Sequence, residues 1–146
     1  MSRRAPRGFA SDNAGSTAVE FSIVVVPLLF LVFGAIEFSR LMWAREALQS
    51  TAIAGARCMG VKETSCAPGG SYSETSTKTF ISNWASSLYI GVLAADVTVS
   101  AAATCSGTPG FSQVTITYTF DSLVSPFLDA IDQKELTATA CFPNQG

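Results

Sequence analysis

The sequence contains no histidine, and charged residues make up only 14% of its 146 residues. The residue type used most often as a general base and as a metal ligand is therefore missing. With a net charge of −2, the chain has no surplus of lysine and arginine for binding nucleic acid. The carboxylates show no spacing typical of a catalytic pair. We therefore expect no enzymatic activity, no cofactor, no metal site and no nucleic-acid partner.

Cysteine is also scarce, and the four cysteines are Cys58, Cys66, Cys105 and Cys141. A four-thiolate zinc site usually contains paired C-x-x-C motifs, and none occurs here. An even number of cysteines in a small domain is typical of disulfides in an oxidising compartment. Two disulfides are the interpretation that we favour, and zinc is its rival.

The chain has one long apolar run, from Thr17 to Ile36, which is twenty residues and about 30 Å long as a helix. That length matches the hydrocarbon core of a bilayer, so the run predicts a membrane span. Glu20 interrupts its front end, where a carboxylate facing lipid is unfavourable. Glu20 is either an interfacial carboxylate helped by the positive end of the helix dipole, or a residue with a dedicated partner.

Residues 1–15 precede the run and contain three arginines, together with proline and glycine, so no stable helix is expected there. The arginines favour a cytoplasmic N-terminus, although Arg40 and Arg45 follow the span closely and weaken this asymmetry. The segment has the composition either of a leader that a protease removes or of a disordered tail that only orients the protein.

After the span, small and apolar residues repeat at three- and four-residue intervals, which predicts that the helix continues to about Cys58 and ends near Gly60. Glu37 and Arg40 are three residues apart and can pair just outside the membrane, as a solvated boundary marker. The small residues along this helix favour close packing against other helices.

A second amphipathic helix is predicted over residues 73–90, with Gly91 as its C-cap. Three alternating segments follow, at residues 97–103, 114–120 and 136–142, and they predict half-buried strands. Residues 106–110 suit a hairpin, and Ser125–Pro126 interrupts the route to the last strand. One sheet face should pack on the long helix, and the threonine-rich face should meet water or a neighbouring subunit.

These elements predict an α+β fold. A long N-terminal transmembrane helix continues into a small periplasmic domain with a second helix and a three- to four-stranded antiparallel sheet. The expected divisions are a cytoplasmic leader at 1–15, the transmembrane and amphipathic helix at 16–59, and the periplasmic α+β domain at 60–146.

Four cysteines allow three disulfide pairings. Cys58 and Cys66 flank a short loop, so joining them needs little closure entropy. Cys105 and Cys141 end the first and third strands, so we favour Cys58–Cys66 with Cys105–Cys141. In ideal strands Cys105 would lie on the apolar face and Cys141 on the threonine-rich face, which argues against their bond unless a strand twists or bulges.

The residues around the start of the span form a recognisable series. Gly15 is followed by Ser16 and three further residues, then by Glu20, the aromatic Phe21 and the apolar run. This series resembles the cleavage signal of type IV prepilins. The resemblance implies that a membrane aspartyl peptidase cuts after Gly15, that Glu20 becomes the fifth residue of the mature protein, and that the helix is kept.

The resemblance extends over residues 17–57, which are similar to the TadE-like family of tight adherence (Flp) pilus assembly proteins. The shared series runs from Val-Glu-Phe at 19–21 through Pro27 and Gly34 to Glu37-Phe38 with Arg40. It ends on Ala-Gly-Ala-Arg at 54–57. The resemblance implies a pseudopilin of the bacterial inner membrane, with a single span and a periplasmic C-terminal domain.

The function implied is that of a minor pilin or pseudopilin matured by prepilin peptidase, in which Glu20 takes part in assembly. Its partners would be that peptidase, other Tad pilus subunits and inner-membrane assembly components, and the protein could itself enter the pilus. The alternative is a signal-anchored periplasmic binding or scaffold module that keeps its leader.

Overall fold

The computed structural model describes residues 14–123 and 133–145; the predicted leader up to residue 13 and the Ser125–Pro126 interruption lie outside these ranges. Two helices and three strands form the fold in the order α1 (Ala14–Gly60), α2 (Glu74–Ser87), β1 (Val97–Cys105), β2 (Thr108–Phe120) and β3 (Lys134–Pro143). This is the predicted α+β class, with a candidate membrane span, a second helix and an antiparallel sheet. Two compact units divide the chain, Met1–Ile36 and Glu37–Gly146.

Helix α1 contributes to both units. Within Met1–Ile36, the described side chains of α1 are almost all exposed, although they are apolar. Within Glu37–Gly146, α1 buries one stripe of residues at helical spacing and exposes the opposite face. The buried members of this stripe are mostly small: Leu41, Ala44, Ala47, Leu48, Thr51, Ala52, Gly55, Ala56 and Met59. Small side chains let the domain's other elements approach the helix axis closely.

Gly55 marks one of these close approaches. A β-carbon at this position would lie 2.7 Å from Ile81 Cγ1 of α2 and 3.3 Å from Val114 Cγ2 of β2. Both neighbours are fully buried, so neither has room to withdraw. The helix, α2 and the sheet therefore meet at a point where only a hydrogen atom fits.

Helix α2 begins at an N-cap and ends in a left-handed residue. The Ser73 hydroxyl accepts a hydrogen bond from the Ser76 N–H at its start. At its end, Tyr89 N–H donates to Ser86 O and Ile90 N–H to Ala85 O, both at 3.0 Å, which is a Schellman motif. The predicted C-cap at Gly91 is therefore wrong. Tyr89 occupies the left-handed position with φ 61°, because burial of Ile90 decides where the chain turns.

The sheet has the strand order β1-β2-β3, and both pairs are antiparallel. Val114 and Ile116 of β2 and Leu136 and Ala138 of β3 are buried, while the threonines between them are partly or largely exposed. The β1–β2 turn is shorter than the predicted hairpin of 106–110. It consists of Ser106 and Gly107, both with positive φ as type I′ turns require, and β2 already begins at Thr108.

Two disulfides close the domain. One joins Cys58 at the end of α1 to Cys66, and the other joins Cys105 of β1 to Cys141 of β3. The register of β1 against β2 shifts twice between Ser100 and Thr104. Strict alternation therefore fails just before Cys105, which removes the conflict of faces that ideal strands would create.

Candidate processing and assembly segment

The residues of the predicted processing site lie in the first two turns of α1. Gly15 and Ser16 follow the first helical residue, Ala14, and their side chains lie outside the part that the structure describes. Glu20 and Phe21 are exposed, and Phe21 is 67% accessible. Ser16 and Glu20 are four residues apart in the sequence of α1. A peptidase would have to unwind this turn to reach the bond after Gly15.

The apolar part of α1 is long enough and apolar enough to cross a membrane, judged by its length and composition. Pro27 lies inside the helix, and Ser22 Oγ donates a hydrogen bond of 2.7 Å to the Ala18 carbonyl. That bond satisfies the hydroxyl within the helix itself, which hydrocarbon surroundings require of every polar group. An exposed apolar helix of this kind needs lipid or other helices around it.

Beyond the apolar run, Glu37 lies at the centre of a small polar cluster. Its carboxylate accepts two hydrogen bonds from Arg40 Nη1, at 3.0 and 2.9 Å, and one from the Leu123 N–H at 3.1 Å. The side chain of Glu37 is 3% accessible, and that of Arg40 is 40% accessible. The Arg40 guanidinium lies 5.5 Å above the ring centre of Phe120, a cation–π distance. Through the hydrogen bond between Leu123 and Glu37, this cluster connects the segment that follows β2 to α1.

The environment of Glu37 shifts its pKa in opposing directions. Burial raises the pKa, while hydrogen bonds from Arg40, Ser122 and the Leu123 N–H and the charge of Arg40 lower it. The lowering effects prevail, so the pKa of Glu37 lies below its ordinary value of 4.5. Glu37 is therefore an ionised carboxylate held by donors inside the domain.

The expected pairing of Glu37 with Arg40 is present, but the expectation that the pair is solvated is wrong for Glu37. The chain leaving β2 covers this carboxylate, and a sequence does not show which loop returns to a helix. One signal could have indicated the burial. Glu37 precedes Leu41, Ala44 and Leu48 by four, seven and eleven residues, so it continues the buried stripe of α1.

The domain has open grooves on its surface. One of them, about 490 Å³, lies between α1 and α2 and is lined mainly by Ile53, Arg57, Phe80 and Trp84. Within residues 14–123 and 133–145, no three cysteine, aspartate or glutamate side chains gather as metal ligands. All four cysteines are in disulfides. The polar contacts of Glu37 are structural, since they join the chain after β2 to α1.

Comparison with known proteins gives a match to a family model. The family model described as TadE-like protein matches residues 15–57, which confirms the resemblance over this segment. The match begins at Gly15 and ends at Arg57. It therefore covers both the exposed apolar stretch of α1 and most of the stretch that packs in the domain. It supports involvement of the protein in Tad pilus assembly. No curated protein and no solved structure matches the chain.

Proposed function

Starting from a TadE-like segment at residues 15–57, we propose that this protein is a minor pilin or pseudopilin that takes part in assembling a tight adherence pilus. Prepilin peptidase cleaves it after Gly15, and the apolar helix remains as its anchor in the inner membrane. The leader lies in the cytoplasm and the disulfide domain in the periplasm. The role is structural rather than catalytic.

One observation carries the proposal. The matched segment is a single helix whose front stretch is apolar and exposed and whose rear stretch is the spine of a folded domain. Such a helix can stay in the membrane, or pack among equivalent helices of other subunits, while the domain keeps its own core. Two disulfides in that domain support an oxidising compartment. Prepilin peptidase, other Tad subunits and inner-membrane assembly components are the partners that this role requires.

The intact mass of the protein from its native membrane tests the proposal. Cleavage after Gly15 removes residues 1–15 and leaves Ser16 as the new N-terminus. In a Gly15→Val variant only the full-length form should remain, because a β-branched side chain adds bulk at the cleavage subsite, where the backbone must be extended. Normal maturation of this variant would overturn the prepilin assignment. Retention of residues 1–15 in the native protein would favour the uncleaved, signal-anchored scaffold module.

A further inference from the structure

Residues 89–93, which follow α2, belong to no helix or strand and alternate between exposed and buried side chains. We call this stretch the 89–93 segment. Tyr89, Gly91 and Leu93 are exposed, whereas Ile90 and Val92 are buried in the core. Tyr89 is 95% accessible and Leu93 68%, so two large apolar side chains project from the domain two residues to either side of a glycine.

The sequence places tyrosine and glycine where the backbone favours the reverse order. Tyr89 has φ 61°, in the left-handed region, where glycine is preferred because it has no β-carbon. Gly91 has no positive φ, and a β-carbon there would meet nothing within 4 Å. The domain's own fold therefore requires no glycine at position 91 and no tyrosine at position 89. A strained residue with an exposed ring points to a role outside the domain's own packing.

Contacts with both helices hold the segment in place. Trp43 Nε1 of α1 donates a hydrogen bond of 3.2 Å to the Leu88 carbonyl, just before Tyr89. Ile90 N–H donates to the Ala85 carbonyl of α2 at 3.0 Å, just after it. The exposed ring is therefore carried by a fixed backbone, which reduces the conformational entropy that a binding partner would have to remove.

The exposed side chains have a pattern that is symmetric about Gly91. Tyr89 and Leu93 are each two residues from it, and the two are at most about 13 Å apart along an extended chain. A two-fold axis at Gly91 would therefore place Tyr89 of one copy against Leu93 of a second copy, with the two glycines at the centre. Both copies then use the same surface, as in the commonest kind of homodimer. The missing side chain at position 91 lets the two backbones approach.

Charge favours a second copy over a charged partner. Residues 79–95 contain no charged side chain, although the chain as a whole has a net charge of −2. Two copies can therefore meet through the 89–93 segment without bringing like charges of this stretch together. An oppositely charged partner would find no ion pair in it.

We propose that the 89–93 segment is a contact surface for a second copy of this chain, related by a two-fold axis at Gly91. Tyr89 of each copy packs on Leu93 of the other. The inference goes beyond the proposed function and rests on the unit Glu37–Gly146 alone. It does not depend on cleavage, on a membrane span or on pilus assembly.

The size of the surface predicts a weak and reversible dimer. A tyrosine side chain buries up to about 250 Å². The four large side chains of two copies therefore bury less than the roughly 1,200 Å² of a stable complex. We expect dimers where copies are concentrated and monomers in dilute solution.

Cysteine cross-linking of the full-length protein in detergent micelles tests the register. When Tyr89→Cys and Leu93→Cys proteins are mixed at high concentration and oxidised, peptide mapping should find position 89 of one copy linked to position 93 of the other. The second half of the contact stays intact in this mixed dimer. Each variant alone should form far less dimer, because the axis keeps identical positions too far apart for a disulfide.

Ser50→Cys is the control partner for Leu93→Cys, because Ser50 is exposed on α1 outside the segment. A mixture of these two proteins should give little cross-linking. Equal yields with Ser50→Cys and with Tyr89→Cys, or no cross-link in either mixture, would overturn the proposal.

Two further substitutions separate association from folding. Tyr89→Gly should abolish dimers and raise the thermal unfolding temperature by about 2–4 °C, because glycine suits the left-handed position. Gly91→Val should abolish dimers by filling the gap between Tyr89 and Leu93, with an unchanged unfolding temperature. Sedimentation equilibrium in density-matched detergent measures association. A lower unfolding temperature for Tyr89→Gly would show that the ring serves the domain's own packing and would overturn the proposal.

The same measurement identifies other occupants of the surface. Self-association that persists in both variants would place the contact between copies elsewhere and overturn the proposal. A wild-type protein that stays monomeric at high concentration in micelles, with Tyr89 protected from hydroxyl radicals only in native membranes, would assign the segment to a different partner. That result would overturn it as well.

Discussion

The two stretches of α1 differ in what surrounds them, although one helix contains both. Residues 21–36 contain no charged residue on any face and are almost all exposed in the structure, whereas residues 37–60 bury one stripe under α2 and the sheet. An amphipathic helix can complete its surroundings with its own domain, but a helix that is apolar all round needs lipid or other helices. The difference indicates that the front stretch acts between molecules and the rear stretch within one.

Two glycines, one in each stretch of α1, show the same difference in surroundings. A β-carbon on Gly34 would meet nothing within 4 Å, whereas one on Gly55 would collide with Ile81. Gly55 is required by the packing of its own domain. Gly34 has no such requirement within the residues that the structure describes, and a small residue there suits close approach of another helix. Substitutions in the front stretch should therefore affect assembly, and those in the rear stretch should affect folding.

The largest expected effect follows from Glu20→Ala in the front stretch. We expect loss of pili together with normal cleavage, insertion and domain stability. In the proposed role, Glu20 pairs with the α-amine that cleavage creates at Ser16, in its own or a neighbouring subunit. Electron microscopy of cells and intact mass of the protein measure the two results. The exposed Glu46 of the rear stretch provides the control, since Glu46→Ala should leave pili unchanged. Wild-type pili with Glu20→Ala would contradict the prediction.

Removal of a disulfide tests the domain alone. With Cys105→Ser and Cys141→Ser together, the free energy of unfolding should fall by about 3.8 kcal/mol, because the bond closes a loop with a sequence separation of 36. Replacement of Cys58 and Cys66 should lower it by about 2.6 kcal/mol, since their separation is 8. Urea unfolding in detergent measures both. An unchanged free energy of unfolding after replacement of Cys105 and Cys141 would contradict the loop-entropy account, because these two cysteines are not buried and serine there leaves no buried hydroxyl.

Gly55→Val and Gly34→Val compare the two stretches directly. Gly55→Val should lower the free energy of unfolding by about 1–3 kcal/mol, because the added methyl groups overpack the junction of Ile81 and Val114. Gly34→Val should leave domain unfolding unchanged, since its β-carbon meets no neighbour. Thermal unfolding of the full-length protein provides the measurement. Equal stability of the two variants would show that the rear stretch is not packed as described.

The smallest expected effect is the pH dependence that Glu37 supplies at the start of the rear stretch. Its pKa is below 4.5 in the folded protein, so the ionised carboxylate stabilises the fold above pH 4.5. This contribution is lost as the pH falls below 4.5 through the folded pKa. We expect Glu37→Gln to lower stability at neutral pH by about 1 kcal/mol and to remove this acid dependence.

Unfolding of Glu37→Gln and wild type between pH 3 and 7 measures the effect. Glu74→Gln is the matched control, because Glu74 pairs with Lys78 at the surface with 62% of its side chain accessible. Parallel acid dependence in wild type and Glu37→Gln would contradict the role given to Glu37.

Sequence patterns predicted the helices and strands, but they did not predict some of the contacts between them. The apolar run, the helical stripe and the alternating strands predicted the α+β class, the end of α1 at Gly60 and the three strands, because each pattern is local. The disulfides of the structure are also those that the sequence favoured. Burial of Glu37 depends on a contact with a distant segment, at Leu123, so the expectation of a solvated pair is wrong. The expected C-cap at Gly91 is also wrong, because the chain turns at Tyr89. The processing site at Gly15, Ser16, Glu20 and Phe21 stays a prediction.

The C-terminal strand has a consequence for how the protein is made. Strand β3 pairs with β2, Cys141 bridges to Cys105, Phe142 packs against Gly60, and Gln145 N–H donates to the Gly60 carbonyl at 2.8 Å. Residues 134–145 thus complete the sheet, one covalent bond and the cap of the long helix. A chain from which these residues have not yet emerged lacks all three at once. The domain therefore closes only after strand β3 and Gln145 have left the ribosome or the translocation channel.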